Sequence, residues 1–543
     1  MNITPWKGGE KMKRFKTTGL CNPNKDYMVD ITERLEKIKA MVDYGDYFTI
    51  NRARQYGKTT TLNALKKTLA DDYYVLDLDF QNIDHDAFSG GGVFSQALAR
   101  LILDKHEFSG FYIPDEFCTA FRKIADAEPE KVKMDELFRV IKRWCLRSDK
   151  PIVLMIDEVD SASNNQVFLD FLAQLRLQYL NREEDASNPA FQSVILAGVT
   201  DIKHLKSKMR DEDQSKVNSP WNIAAEFDID MSLHADGIKG MLDDYEADHN
   251  TGMDTSAIAQ LIYDYTSGYP FLVSRICQII DEKLVPGKFK TLSDAWTRNG
   301  IDEAVKAILI ESNTLFDSLM GKLTNYPEMK ALLRRVLMEG AVIPYSADNE
   351  GISQLVTYGF IRRHEGRAVI ANRIFETRLY NMFCTENDIN NNVFTSEGTL
   401  AKNIFIKDGR LDMRLIMERF IKTYTEVFGP LEEKFKEKDG REQFLLYLRP
   451  IINGTGNYYI EAQTRDQTRT DIVVDYLGQQ YIIELKIWRG ERYNAEGEQQ
   501  LSEYLDYFGL DVGYMLSFNF NKKKTIGVQL VRVGDKTLYE GTL

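Results

Sequence analysis

Apolar positions change their period along the chain. Between positions 30 and 235, short continuous apolar runs alternate with stretches whose apolar residues recur every three or four positions. Tyr47–Asn51, Tyr73–Phe80 (YYVLDLDF), Ile152–Ile156 and Ser193–Ala197 (SVILA) read as strands. Ile31–Val42, Leu62–Leu69, Val93–Leu103, Met134–Leu146 and Val167–Leu180 read as helices. Strands that alternate with helices imply right-handed crossovers and a parallel sheet covered on both faces, so one α/β domain is expected over residues 27–236.

Further along, the pattern turns helical over residues 237–321, broken at Ser267-Gly268-Tyr269-Pro270, as in a small helical lid. Residues 322–385 show two helical stretches, Glu328–Glu339 and Gly351–Tyr358, and then two short β runs around Gly366, the outline of a winged helix. An Asn-rich stretch, residues 386–400, reads as a linker, and residues 1–26 read as an N-terminal leader. Over residues 401–543, helices to Leu448 precede a β-rich block punctuated by Gly454, Gly456, Gly478 and Gly490, so a second α/β domain is expected. The fold class expected is therefore multidomain α/β.

Composition narrows the functional classes. The 543 residues are 43% hydrophobic and 28% charged, which suits a chain able to bury several cores and excludes global disorder. Lys and Arg number 69 against 82 Asp and Glu, a net charge of −13, which argues against a generally basic nucleic-acid coat but leaves room for a local basic groove. The cysteines Cys21, Cys118, Cys145, Cys277 and Cys384 are scattered and form no CxxC pair, so neither a disulfide framework nor a zinc site is indicated. No secretory signal and no run of about 18 uncharged apolar residues is present, and a cytoplasmic protein without membrane contact is expected.

The first candidate chemistry lies between strand and helix, in NRARQYGKTT. Gly57, Lys58, Thr59 and Thr60 close a loop where backbone N–H groups at a helix start can meet phosphate oxygens, Lys58 adds a cation and Thr59 can hold Mg²⁺. The usual glycine at position 52 is replaced by Arg52. In IVLMIDEVD an apolar strand ends in Asp157-Glu158, where one carboxylate can reach Mg²⁺ and the next can polarise water. Together these motifs predict an ATP and Mg²⁺ site with Glu158 as the catalytic base.

These residues resemble the AAA-like ATPases of the signal-transducing, helix-lidded type, over Tyr27 to Phe383. Members of that group commonly carry an arginine-rich loop before GK[ST], so the resemblance implies that Arg54 belongs to the nucleotide site. It also implies that Thr200 senses the γ-phosphate and that Pro270, in Gly268-Tyr269-Pro270, packs near adenine. Arg275 is open between a lid arginine and an ordinary helix charge.

A second constellation is TRTDIVVDYLGQQYIIELKIWRG. With a hairpin turn at Gly478-Gln479, position 471 pairs with 486 and 473 with 484, so Asp471, Glu484 and Lys486 share one sheet face. The surrounding Ile482, Ile483, Leu485 and Ile487 imply a strand buried on both sides, where charges need partners or a metal. Asp471 and Glu484 can hold Mg²⁺ or Mn²⁺, and Lys486 can orient water or stabilise charge at a phosphodiester.

This segment resembles the PD-(D/E)XK nuclease superfamily, in the version fused to AAA-like ATPases, over Phe405 to Phe520. Asp471, Glu484 and Lys486 match its signature positions, while Thr470 replaces the proline. Upstream, Glu442 matches the first-helix acid of many members. Downstream, the resemblance implies a catalytic glutamine, Gln500, with Gln499 as the alternative.

Arg465, Arg469, Arg489 and Arg492, with Trp488 and Tyr493, surround this second site, and Arg362, Arg363, Arg367, Arg373 and Arg378 offer another basic surface near the winged helix. The sequence thus predicts an ATP-dependent or ATP-regulated nuclease acting on nucleic acid, with DNA expected. The rivals are a nucleotide-regulated binding or signalling switch that does not cut, and an RNA-directed nuclease. Self-association into a homo-oligomer is left open.

Overall fold

The computed structural model describes residues 13–163, 165–199, 220–285, 287–338, 343–388, 404–407, 410–428, 437–452, 456–463, 469–476, 479–488, 490–521 and 523–543. Two compact units are distinguished, the first reaching Leu233 and including Thr357–Gly359, the second comprising His234–Val356 and Phe360–Leu543.

In the first unit the chain runs through α1 (Thr32–Tyr44), β1 (Tyr47–Asn51), α2 (Lys58–Leu69), β2 (Tyr74–Asp79), α3 (Gly91–Ser109), α4 (Asp115–Ala125), α5 (Met134–Arg147), β3 (Ile152–Asp157), α6 (Gln166–Glu184) and β4 (Ser193–Gly198). Among the described residues the sheet has the order β1-β4-β3-β2 and every pairing is parallel. Side-chain alternation divides its apolar residues between two cores. Tyr47, Leu76, Leu78, Leu154, Ile156 and Leu196 pack against α3 to α6, whereas Phe48, Ile50, Val75, Val153, Met155 and Ile195 pack against Ile38 and Val42 of α1 and Leu62, Leu65 and Leu69 of α2. The four expected strands are found, and α4 is an additional helix that the sequence reading did not separate out. Part of the expected leader is also built into the fold. Phe15 and Tyr27 are buried against each other, with ring centroids 5.0 Å apart.

The second unit begins with α7 (Ala235–His249), α8 (Thr255–Thr266), α9 (Pro270–Ile279), α10 (Leu292–Ala295), α11 (Arg298–Ile310), α12 (Thr314–Asn325) and α13 (Pro327–Met338). Then β5 (Ile343–Pro344), α14 (Glu350–Thr357), β6 (Ile361–His364) and β7 (Arg367–Ile370) form the helix and wing expected around Gly366, and α15 (Arg373–Asp388) follows. Most of the expected linker lies outside the described residues.

The C-terminal part continues with β8 (Ile406–Lys407), β9 (Arg410–Leu411), α16 (Met413–Phe428), α17 (Glu437–Ile452), β10 (Gly456–Gln463), β11 (Arg469–Tyr476), β12 (Gln479–Ile487), α18 (Glu491–Phe508), β13 (Val512–Phe518), β14 (Gly527–Val533) and β15 (Lys536–Thr542). Its mixed sheet, among the described residues, has the order β10-β11-β12-β13-β15-β14. Pairings are parallel from β12 through β13 to β15 and antiparallel outside that centre. Two-sided burial explains the near-continuous apolar run in β12. Helix α16 covers one face, with Ile421 and Met417 against Gly541, and α18 covers the other. Both parts are α/β, as the sequence pattern required. Among the described residues no helix is long and apolar enough to cross a membrane.

Candidate functional site

All strands of the first sheet point the same way, so the loops after β1, β3 and β4 emerge at one edge, where ligands of open α/β sheets bind. Gly57 adopts φ +81°, a left-handed conformation suited to glycine, and turns the chain into α2, whose first residue is Lys58. Lys58 is buried and donates from Nζ to the carbonyl oxygens of Arg52 at 2.9 Å and Ala53 at 3.1 Å. Burial pulls its ammonium pKa down, opposed by the nearby Asp160, Glu158 and Asp157 carboxylates. An incoming phosphate would give this buried ammonium a further anionic partner.

Thr59 Oγ1 donates to Asp157 Oδ2 at 2.7 Å, so the loop after β1 and the end of β3 meet. A hydroxyl and a carboxylate in contact form a donor set that fits a hard divalent ion. Glu158 sits beside them in a left-handed conformation, φ 54°, which a non-glycine residue rarely adopts. Burial first, and then Asp157, raise its carboxyl pKa, toward the range in which a carboxylate accepts a proton readily.

Arg54 is exposed on the loop, and Thr60 is half-buried beside Cys21, whose thiol its side chain hydrogen-bonds. Thr200 lies outside the described residues. Pro270 opens α9 in the second unit, at a helix position where no backbone N–H is needed. Arg275 makes a two-point contact with Glu311, Nε to Oε1 at 3.0 Å and Nη2 to Oε2 at 2.5 Å, so its charge is engaged within the second unit.

Arg52, the departure from the usual glycine, has a structural role. Its guanidinium donates to the carbonyls of Asn51 and Ile229, each at 2.8 Å, and lies 5.3 Å from the Phe227 ring centroid. This ties the start of the loop to the segment returning along β1, where Ala225 N–H donates to Tyr47 O at 2.8 Å. Arg52→Gly, although it restores the common motif, is therefore expected to lower stability by about 2 kcal/mol through lost charged hydrogen bonds and to weaken ATP binding. Chemical denaturation and nucleotide titration measure both; tighter ATP binding by the variant would contradict this role.

Asp160 escaped the sequence reading. Its Oδ2 accepts from Val199 N–H at 2.7 Å, linking the turn after β3 to the exit of β4. The only sequence sign was a third carboxylate two positions beyond Glu158.

At the second site Glu484 is buried, and Lys486 Nζ lies 2.8 Å from its Oε1. Lys486 also reaches Gln500 Oε1 at 3.4 Å, and Gln500 Nε2 donates to Tyr504. Gln500 thus joins the pair from α18, whereas Gln499 is exposed. The helix can approach because of Gly497, where a Cβ would sit 3.3 Å from Lys486 Cε.

The hairpin register differs from the expected one. Val473 pairs with Ile482 and Ile472 with Ile483, two residues away from the expected pairing of 473 with 484. Continued by one residue, this register sets position 471 across from Glu484 instead of Lys486. An even shift leaves every residue on its original face, so hydrophobic patterning cannot distinguish the two. The Asp471, Glu442 and Arg469 side chains, and Arg465 and Arg489, lie outside the described residues.

Beside this pair lies a polar network that the sequence pattern did not reveal, because its members come from separate elements. Buried Glu540 on β15 accepts from Asn494 Nδ2 at 2.7 Å, Ser517 Oγ at 3.3 Å and Gln529 Nε2 at 2.9 Å. Asn494 ends the first turn of α18, so the network anchors the helix that carries Gln500.

The basic surfaces divide in two. Arg362, Arg363, Arg367 and Arg492 are exposed, and Arg492 is within 3.4 Å of Glu496. Arg378 instead donates to the carbonyls of Ile308, Leu309 and Glu311 at 3.0, 3.2 and 2.8 Å, closing the end of α11, and stacks 3.9 Å from the Phe316 centroid. It belongs to the interior contacts of the unit, not to a nucleic-acid surface.

Comparison with known proteins gives two family matches. The family described as an AAA-like domain matches residues 26–383, and the PD-(D/E)XK nuclease superfamily matches residues 457–530. No curated protein matches. Solved structures similar to this chain include a Walker-type ATPase of Pyrococcus abyssi, at 15% identity and TM-score 0.46, covering 67% of this chain and 99% of that one. Cdc6p from Pyrobaculum aerophilum matches at 15% identity and TM-score 0.31, covering 66% and 94%. The ORC1 protein of Aeropyrum pernix, solved in complex with DNA, matches at 11% identity and TM-score 0.30, covering 65% and 93%.

Proposed function

The chain belongs to the AAA-like domain family and carries a PD-(D/E)XK nuclease-superfamily domain, and from that premise we propose that it binds and hydrolyses ATP and cuts phosphodiester bonds in DNA with the help of a divalent metal. The observation that carries the nuclease reading is the contact of buried Glu484 with half-buried Lys486 at 2.8 Å, joined from α18 by Gln500. An isolated buried ion pair is weak evidence of stability, but one at the signature positions of a nuclease superfamily has a chemical use.

In the N-terminal site, Lys58 and the N–H groups at the start of α2 bind the phosphates, and Thr59 with Asp157 would hold Mg²⁺, which neutralises charge on the phosphate oxygens. Glu158 accepts the proton of the attacking water, and Arg54, Thr60 and Thr200 are taken as further nucleotide contacts within the first unit. In the C-terminal site, Asp471 and Glu484 would hold Mg²⁺ or Mn²⁺, which polarises water and the phosphodiester. Lys486 donates to the developing negative charge, and Gln500 keeps it oriented. The exposed Arg362, Arg363, Arg367 and Arg492 favour a polyanion through sequence-independent phosphate contacts. The scattered cysteines, none in a CxxC pair, favour a reducing, cytoplasmic setting.

The test is incubation of the full chain with linear, circular and single-stranded DNA and with RNA, in Mg²⁺ or Mn²⁺, with and without ATP. Metal-dependent loss of DNA, abolished by a chelator, is expected. Cleavage of RNA alone would replace DNA as the substrate, and intact DNA and RNA under every condition would leave the binding or signalling switch.

A further inference from the structure

Within the second unit, three buried polar side chains meet where the lid helices reach the C-terminal sheet. Tyr265 from α8, Asp302 from α11 and Asp475 from β11 are 2%, 4% and 3% exposed, so solvent satisfies none of them. Tyr265 Oη is 2.9 Å from Asp302 Oδ1 and 3.3 Å from Asp475 Oδ2. A phenol has one hydrogen. It can donate to one carboxylate, but the second contact is a hydrogen bond only if that carboxyl carries a proton and donates back. Two ionised carboxylates around a single hydroxyl would leave facing lone pairs in a dry site.

We propose that Tyr265, Asp302 and Asp475 form a latch that shares one extra proton and ties the lid to the strand bearing position 471, so that losing the proton frees that strand and lowers cleavage. The regulatory half of this proposal rests on the nuclease reading above. Its geometric basis is that Asp475 lies four residues along β11 from position 471 and, by strand alternation, on the same sheet face. Whatever holds Asp475 therefore helps to hold position 471 across from Glu484.

The electrostatic surroundings agree. Burial, and then the Asp475 charge, push the Asp302 carboxyl up to about 7, with Tyr265, Arg298 and Lys306 opposing. Burial raises Asp475 as well, against Gln480 opposite it on β12, Tyr265, Arg298 and Arg373. The charged groups facing the pair are thus the cations Arg298 and Lys306 of α11 and Arg373 of α15, and burial outweighs them. Because the folded state holds the proton more tightly than an ordinary carboxyl, with its pKa of about 4, the stabilisation is complete in acid and is lost as pH rises toward and through neutrality.

The test is hydrogen exchange of Ile472–Tyr476 in the full chain at pH 6 and pH 8, corrected for the intrinsic chemical rate. Wild type is expected to exchange roughly ten-fold faster at pH 8 through easier local opening. Asp475→Asn, whose amide imitates the protonated acid, should be slow at both pH values, and Asp302→Asn serves the same purpose if the first variant does not fold. Tyr265→Phe should be fast at both. A flat wild-type profile, or equal pH dependence in wild type and both Asn variants, overturns the latch. Cleavage measured on the same samples should favour Asp302→Asn over wild type several-fold more at pH 8 than at pH 6. An unchanged ratio removes the link to the second site, whereas absence of cleavage in every sample rejects the nuclease reading and leaves the exchange data to decide the latch.

Discussion

Glu484→Gln is expected to abolish DNA cleavage while leaving the protein folded and able to hydrolyse ATP. Glutamine keeps the volume of the buried side chain and can still accept a hydrogen bond from Lys486, so the contact at 2.8 Å survives in weaker form. What disappears is the negative charge that would bind the divalent ion. Metal-assisted activation is worth several kcal/mol, and a loss of about 4 kcal/mol corresponds to roughly 10³-fold in rate. Asp471→Asn should give a loss of the same order, because the strand register, continued by one residue beyond the Ile472–Ile483 pair, sets position 471 across from Glu484. The two losses should not multiply in the double variant, since both residues serve one ion. Single-turnover cleavage of linear DNA measures each rate, with far-ultraviolet circular dichroism as the folding control. Cleavage by either variant at more than about a tenth of the wild-type rate would reject a metal site built on these carboxylates.

Lys58→Ala should remove ATP binding by about 100-fold or more, because the lysine is a preorganised charge aimed at the phosphates. Its Nζ is held by the carbonyls of Arg52 and Ala53, and the surrounding carboxylates Asp160, Glu158 and Asp157 oppose the lowering of its pKa by burial. The variant loses that charge together with two loop contacts, so a fluorescent nucleotide titration should be read beside a thermal melt without nucleotide. Glu158→Gln separates binding from chemistry: ATP should still bind, whereas hydrolysis should fall by about 10² or more with the loss of the base. Unchanged affinity in Lys58→Ala would refute the assignment of the loop. If DNA cleavage is then independent of both N-terminal variants, ATP turnover and cleavage are separate activities of one chain.

Much of this organisation is determined by sequence alone. The apolar runs of β1, β3 and β4, the Gly57-Lys58-Thr59 turn into α2, the Asp157-Glu158 pair and the Glu484-x-Lys486 alternation are all local patterns. They depend on neighbours two to four positions away, and such neighbours fix backbone period and side-chain face wherever the chain folds. Tertiary structure decided what depends on distant partners. It shifted the β11–β12 register by two residues, a change invisible to the alternation of faces, so that Ile472 pairs with Ile483 and the register, continued by one residue, meets Glu484 with position 471. It set Gln500, rather than the exposed Gln499, against Lys486, because only one of two adjacent helix positions faces that side chain. Arg378 resembled a candidate for phosphate contact in the sequence and Arg52 a mere departure from the usual glycine, yet both spend their donors on backbone carbonyls, Arg378 on those at the end of α11. Tyr265, Asp302 and Asp475 are separated by up to 210 positions, and no local period could announce that they share a buried site. Burial and hydrogen-bond partners are properties of the assembled fold, so the sequence specified which groups are present and the packing determined which of them are free for chemistry.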